Sequence, residues 1–391
     1  MEYVLHPRSE IDARIRKLQD RMGELTGVII FESTDLGYFS GTAQEGLIYI
    51  PRDGQPTLMI KKSQDRAGQE SPLPVQPQRS LRSLKADLNL PAGARIGLEL
   101  DVLPYNNYLR LEKALGEDIA FFDISETIKH IRSVKSDFEL RLIREAARIL
   151  DAGIATVADN LKEGMREIDL AVAVESTMRV LGHQGIVAFR RFNQNLPLGH
   201  LMAGPSAALP SSVSSPTGGR GMSLFFAQGP GFARIKRGES VLVDYAGCYN
   251  GYIADETRIF CVGKISAKLE DAHQAALQIE EAIAEQLSPG KMSRDIWNLS
   301  EAEGERLGYR DFLGGPPGSK AGFVGHGVGL QIDEYPVLGP LDHEIVESMV
   351  VAVEPKMIYP GEGVVGIEDT FLVGETGAER LTRLPQEIWR V

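Results

Sequence analysis

Apolar positions along this chain recur with two different periods, and the change of period divides it. Residues 9–22 place Ile11, Ile15 and Leu18 on one helical face with charges opposite, behind Ser9 as a cap, which predicts an amphipathic helix. The segments GVIIF (27–31), GLIYI (46–50), TLMI (57–60) and RIGLEL (95–100) are short and rich in apolar and β-branched residues. Most of them border Gly or Pro, as buried strands do. Helical stretches between them make the first part an α/β domain. Residues 71–94 carry four prolines and little periodicity, the pattern of a surface excursion.

From Lys135 the pattern changes to a long helix. Leu140, Ile143, Ala147, Leu150 and Ile154 fall at three- and four-residue steps, and further helices are expected over 166–181, 268–287 and 293–307. ESVLVDYAG, GYIADETRIFCVG, MVVAVEPKMI and GVVGIEDTFLV supply strands, so this part is α+β. The expected domains are 1–134 and 135–391. Residues 204–231 are dense in Gly, Ser and Pro, and a loop of that length in a compact domain is usually functional or mobile.

Composition narrows the classes. With 391 residues, 43% apolar and 25% charged, the chain has the balance of a globular protein of two or three domains. Fifty-four acids against 42 bases give a net charge of −12 with no basic run, which argues against nucleic acid or an anionic membrane as partner. Cys248 and Cys261 form neither a disulfide framework nor a zinc spacing, and are expected as buried thiols. The N-terminal segment lacks the apolar run of a signal peptide and no run is long enough to span a bilayer, so a cytoplasmic protein is expected.

The chemistry gathers on five residues. Asp244, Asp255, Glu354 and Glu368 each follow an apolar strand run (VLV, GYIA, MVVAV, VVGI), where an unpaired charge would be costly, and His326 lies in GHGVGL. Four carboxylates and an imidazole suit Mn²⁺, Fe²⁺, Co²⁺ or Zn²⁺, and four acids are enough to bridge two ions. The plainer alternative is local pairing, Asp255 with Arg258 or Glu354 with Lys356, since residues two apart on a strand share a face.

VLVDYAG, NGYIADETRIF, GHGVGL, VEP and GIED together resemble the metallopeptidase family of proline dipeptidase, aminopeptidase P, methionine aminopeptidase and creatinase. Residues 9–130 resemble that family's N-terminal domain through RIRKLQ and TDLGYFSG. The resemblance implies a creatinase-type α/β N-terminal domain followed by an α+β pita-bread catalytic domain. It also implies two divalent ions (Mn, Co, Fe or Zn), with Asp244 and Asp255 as ligands, Asp255 bridging, His326 and Glu354 each on one ion, and Glu368 bridging. Thr257 and Arg258 would support the ligands, and Glu354 would also carry the proton from the attacking water to the leaving nitrogen. A homodimer is implied as well.

Three departures concern the substrate contacts. The family's histidine shortly before the first metal-binding Asp is missing from SLFFAQGPGFARIKRGES; between 201 and 325 the only histidine is His273, expected on a solvated helix flank. The H-E-x-P motif is replaced by Asp333-Glu334-Tyr335-Pro336, and Gly366 stands where peptidases have an Arg. Asp333 as a catalytic group, with His200, Gln228 and Glu334 as substrate contacts, are the candidates for a rebuilt grip. His6, His130, His183 and His343 are expected as surface or capping residues. The expected function is a metal-dependent hydrolase of the Xaa-Pro dipeptidase or aminopeptidase P type, cleaving a small peptide or amide. The alternatives are a C–N or C–S cleaving enzyme for a small molecule on the same fold, or a metal-binding protein with little peptidase activity.

Overall fold

The computed structural model describes residues 4–316 and 318–391, which form two compact units dividing between Arg132 and Ser133. The first is a mixed six-stranded sheet of β1 (Gly27–Ile30), β2 (Gly46–Pro51), β3 (Thr57–Ile60), β4 (Val75–Pro77), β5 (Arg95–Leu98) and β6 (Ala120–Asp123), in the order β4-β3-β2-β1-β5-β6. It carries helices α1 (Arg8–Gln19), α2 (Ser33–Ser40), α3 (Gln64–Glu70), α4 (Leu84–Asp87), α5 (Tyr105–Leu115) and α6 (Ser125–Ser133). Every residue of β1 is buried, because the sheet is covered at this central strand. The Pro-rich stretch 71–94 is more than an excursion: β4 pairs in parallel with β3 and α4 buries Leu84. Pro77 is tolerated because β4 is an edge strand, where a missing N–H leaves no ladder bond open.

The second unit opens with α7 (Asp137–Asn160), started by a capping box in which Ser136 Oγ accepts from Glu139 N and Glu139 accepts from Ser136 N. α8 (Glu167–Val180) follows. Strands β7 (Gly199–Ala203), β8 (Val241–Tyr249) and β9 (Tyr252–Cys261) run antiparallel in register. The β8–β9 turn is Asn250-Gly251, both at positive φ (48° and 87°), the two-residue turn whose twist suits a hairpin. Period-2 alternation then sorts the hairpin's faces. Tyr245, Gly247, Glu256 and Arg258 share one face, and Asp244, Asp255 and Thr257 the other. Helix α7 crosses the first face so closely that a Cβ on Gly247 would lie 2.3 Å from Ala146 O.

Helices α9 (Ala267–Gln286) and α10 (Ser293–Leu307) lead to β10 (Gly325–Gly327) and β11 (Glu334–Val337). The runs MVVAVEPKMI and GVVGIEDTFLV, each expected as one strand, are each two. β12 (Val350–Val353) and β13 (Lys356–Tyr359) flank Glu354-Pro355; β14 (Gly363–Gly366) and β15 (Asp369–Val373) flank Ile367-Glu368. Pro355 has no N–H for a ladder, and both breaks transfer the chain from one sheet to another: β12 and β15 lie with β10, β11 and β16 (Ala378–Arg380), while β13 and β14 pair with each other. The final strand β17 (Trp389–Arg390) joins β9 in parallel. His273 lies on the packed face of α9 with Leu269, Ala272 and Ala276, not on its exposed flank, which overturns the expectation of a solvated His273: the ring is fully buried and its Nε2 donates to Gln386 O at 2.8 Å. Both cysteines are free and buried, and no described helix is long and apolar enough to cross a membrane.

Candidate metal centre

The β8–β9 hairpin and the two strand breaks bring four acids to one point. Asp244 (β8) stands opposite Thr257 (β9), and Thr257 is bridged in turn to Glu368, its N–H donating to Glu368 O at 3.2 Å. Thr257 Oγ1 donates to Glu368 Oε2 at 2.9 Å. Glu354, in the break after β12, is held by its N–H on Val324 O, next to β10 with His326. His326 Nδ1 faces Gly327 O at 3.3 Å; a carbonyl only accepts, so Nδ1 is the donor there, which in the neutral ring leaves Nε2 with a lone pair. Around Nε2 stand Glu354 Oε1 at 3.6 Å, Asp255 Oδ2 at 3.9 Å and Glu368 Oε1 at 4.0 Å. Ligand atoms of Asp255, His326 and Glu368 all lie within 4.8 Å of one another. One imidazole nitrogen and two or three carboxylate oxygens in that space suit a borderline or hard divalent ion.

A sixth residue enters the cluster. Lys356, 1% exposed, places Nζ 2.8 Å from Asp244 Oδ2, 2.8 Å from Glu354 Oε2 and 2.7 Å from Glu368 Oε2. Its cross-strand partner is Gly366, where a Cβ would fall 2.7 Å from Lys356 Cα and 3.0 Å from Lys356 Cγ, so the lysine runs through space that a side chain at 366 would fill. Of the two local pairings considered, Glu354 with Lys356 is therefore present. Arg258 does not pair with Asp255: it lies on the other hairpin face, donating to Thr257 O, Glu368 O and Asp369 Oδ1. In that place it fixes the backbone of Glu368 from behind.

Electrostatics show what one ammonium leaves undone. Burial, then the neighbouring Glu368 and Asp244, hold the Asp255 carboxyl well above the ordinary range. Burial pushes Glu368 up to about 8 even with Lys356 pulling it down. Asp244 is the exception: burial would raise it, but Lys356 and His200 together keep it below the usual value. Four carboxylates share a single fixed positive charge, and a further cation among Asp255, His326 and Glu368 would relieve the two that remain raised.

The centre forms the floor of a cleft of about 760 Å³, including the space open to solvent, with Phe189, Leu196, Val213, Phe323 and Ile332 among its walls. His200 belongs to it. The ring lies opposite Asp244 in the β7–β8 register, burial lowers its pKa, and its buried Nε2 has no hydrogen-bond partner among the described residues. Asp333 lines the cleft but is not a free acid: its two oxygens accept from Arg190 N at 2.8 Å and Arg191 N at 3.1 Å, clamping the wall segment. Gln228 and Glu334 do not line the cleft. Gln228 donates to Asn195 O, and Glu334 accepts from Lys135 Nζ, Leu330 N and Gln331 N. Sequence reasoning missed Arg191, at the cleft with its guanidinium on Ser214 Oγ at 2.6 Å, and Thr217, whose hydroxyl reaches toward Asp244 at 3.4 Å from the Gly/Ser loop. No local pattern marks either one.

Residues 141–375, more than half of the chain, match Metallopeptidase family M24, and residues 14–134 match the Creatinase/Prolidase N-terminal domain. The chain belongs to metallopeptidase family M24. As an M24 member it is an enzyme of the metal-dependent hydrolase class, built as the two-domain, pita-bread form of that family. It is 29% identical over 380 residues to the Xaa-Pro dipeptidase of Pyrococcus furiosus, covering 96% of this chain and 99% of that one. The prolidase structure from Pyrococcus horikoshii superposes with a TM-score of 0.81 at 25% identity, over 96% of this chain and 99% of that chain. The X-Pro aminopeptidase structure from Thermotoga maritima shares the fold, with a TM-score of 0.80 at 23% identity over 97% and 99% of the two chains. Divalent metals are the cofactors of M24 enzymes, and the set Asp255, His326, Glu354 and Glu368 fits one.

Proposed function

We propose that this M24 enzyme hydrolyses a small peptide or amide, with Xaa-Pro peptides as its substrate class. The observation that carries the reading is the convergence of Asp255 Oδ2, His326 Nε2 and Glu368 Oε1 on one point at the floor of an apolar-walled cleft. The dipeptidase relative from Pyrococcus furiosus, matched along its whole length, supports the substrate class. A divalent ion (Mn, Co, Fe or Zn) bound there supplies a Lewis acid that polarises the scissile carbonyl and lets water lose a proton near neutral pH.

The chain's own groups do the rest. Glu354 turns Oε1 toward that point while Oε2 is fixed by Lys356, which orients it to take the water's proton and return it to the leaving nitrogen. His200 offers an unengaged ring nitrogen to a substrate amide. Arg191 offers a positive charge to the free carboxylate of a short peptide, and Phe189, Leu196 and Val213 a surface for a prolyl ring. Asp333 holds the wall through the Arg190 and Arg191 backbone amides and takes no part in the reaction. The expected two-ion arrangement meets Lys356 at its second position, so one ion is the reading the donor set supports. A cytoplasmic homodimer completes it, supported by two buried free thiols and by Leu224 and Phe225 standing at 96% and 103% exposure on one loop, where a second copy could cover them.

The test is turnover of an Xaa-Pro dipeptide panel, with small amides alongside, by protein stripped of metal and then given Mn²⁺ or Co²⁺. Cleavage that depends on the added ion, reduced by roughly 10²–10⁴-fold in Glu354→Gln, is expected. No cleavage of any Xaa-Pro peptide with metal demonstrably bound would overturn the substrate class.

A further inference from the structure

Glu354 and Glu368 are each divided between two places. One oxygen of each, Oε1, turns toward His326 Nε2; the other, Oε2, is bonded to Lys356 Nζ, which Asp244 Oδ2 also holds. Two carboxylates thus bridge two positions of positive charge, in the manner of carboxylates that bridge paired ions. One of the positions is already filled by a covalently attached group. We propose that the Lys356 ammonium is a built-in replacement for a second metal ion, so that this enzyme works with a single exchangeable divalent cation, held by Asp255, His326, Glu354 and Glu368. The proposal rests on the metal-dependent reading of the centre given above.

Geometry and chemistry both support the replacement. An ammonium has three N–H donors and no acceptor, and the three carboxylate oxygens at 2.7–2.8 Å match them one for one. No donor is left over for water or substrate, so Lys356 is a positioning residue: it sets the angle at which Glu354 and Glu368 face the cation. The lysine is buried, and Gly366 across the strand pair leaves its stem unobstructed. Asp244 then has no ion of its own. Its Oδ2 holds Lys356 and accepts from Thr217, which keeps the Gly/Ser loop against the cleft. A single ammonium also differs from an ion in what it cannot do: it has no vacant coordination position and cannot polarise a carbonyl as a Lewis acid does.

The test is metal stoichiometry on the full chain. Protein is stripped with a chelator, titrated with Mn²⁺ and measured by native mass spectrometry and elemental analysis. The expected result is one ion per chain, with the isolated six-line electron paramagnetic resonance spectrum of a lone Mn²⁺. Lys356→Gly, shown to be folded by circular dichroism, is expected to take up two ions and give the spin-coupled spectrum of a pair. Lys356→Met, which fills the space without charge or donors, is expected to hold no more than one ion and to bind it with an altered hyperfine spectrum. Two ions or a coupled spectrum in the unaltered protein would overturn the proposal while leaving the metal-dependent reading intact. So would a folded Lys356→Gly variant that still takes only one. No ion in the unaltered protein would overturn the metal-dependent reading itself. The unaltered protein decides the stoichiometry even if both variants fail to fold.

Discussion

His183 shows how a side chain's ordinary chemistry is changed by its place. It was expected at the surface or as a cap; it does close the turn after α8, but it is buried. Its Nε2 donates to Ala246 O at 3.0 Å and its Nδ1 accepts from Gly185 N at 2.8 Å, a pair of bonds open only to the neutral ring. Burial accordingly lowers its pKa to about 4. In the unfolded chain the imidazole takes up its proton near 6.5. Between those values the unfolded state binds more protons. The stabilisation from His183 is therefore complete above about pH 6.5 and is lost as pH falls from there toward 4. Urea titrations at roughly pH 7.5 and roughly pH 5 should show the unaltered protein losing about 2 kcal/mol more than His183→Gln over that interval. Equal losses would remove His183 from the account. Among the site residues, the four acids were legible in the sequence because each ends an apolar run. The roles of Asp333, Gln228 and Glu334 were not legible, because they are settled by backbone amides or carbonyls whose position depends on loop conformation and, for Glu334, also by the Lys135 ammonium far away in sequence.

Elements carry the next level of specification. The strands β8 and β9 were readable, and the Asn250-Gly251 turn between them, with their alternation, puts Asp244 and Asp255 on one face. The breaks at Glu354-Pro355 and Ile367-Glu368 were not, since their apolar residues continue on both sides and the change of sheet is a tertiary event. For the same reason Lys356 could be paired with Glu354 from sequence spacing but not with Asp244 and Glu368, which come from other strands. Helix α7 links this level to the site. Its capping glutamate Glu139 also accepts from the Tyr252 hydroxyl at 3.0 Å, tying the helix start to the first residue of β9. Ser136→Ala should cost about 1 kcal/mol, read as a lowered urea midpoint with an unchanged slope.

For the molecule, the two units have separate cores, and every proposed ligand belongs to the second. A cation bound only by the folded second unit should stabilise that unit. At a hundredfold excess over its dissociation constant the gain is about 2.7 kcal/mol. Calorimetry with and without Mn²⁺ should show the shift in the transition of the second unit, and chelator should reverse it. A shift confined to the first unit would place the ion elsewhere. The net charge of −12 remains mostly surface charge, with only four acids drawn into the centre.

Lys356 also governs how the centre fills. Because it cannot dissociate, the one-ion reading proposed above makes loading a single-step equilibrium, and the active fraction should then follow a plain hyperbola in free metal concentration. A centre needing two ions, each sharing carboxylates with the other, would fill sigmoidally and would lose activity with the square of metal concentration when metal is scarce. On the one-ion reading the tethered charge makes activity fall in proportion to metal concentration, rather than to its square, as metal becomes scarce.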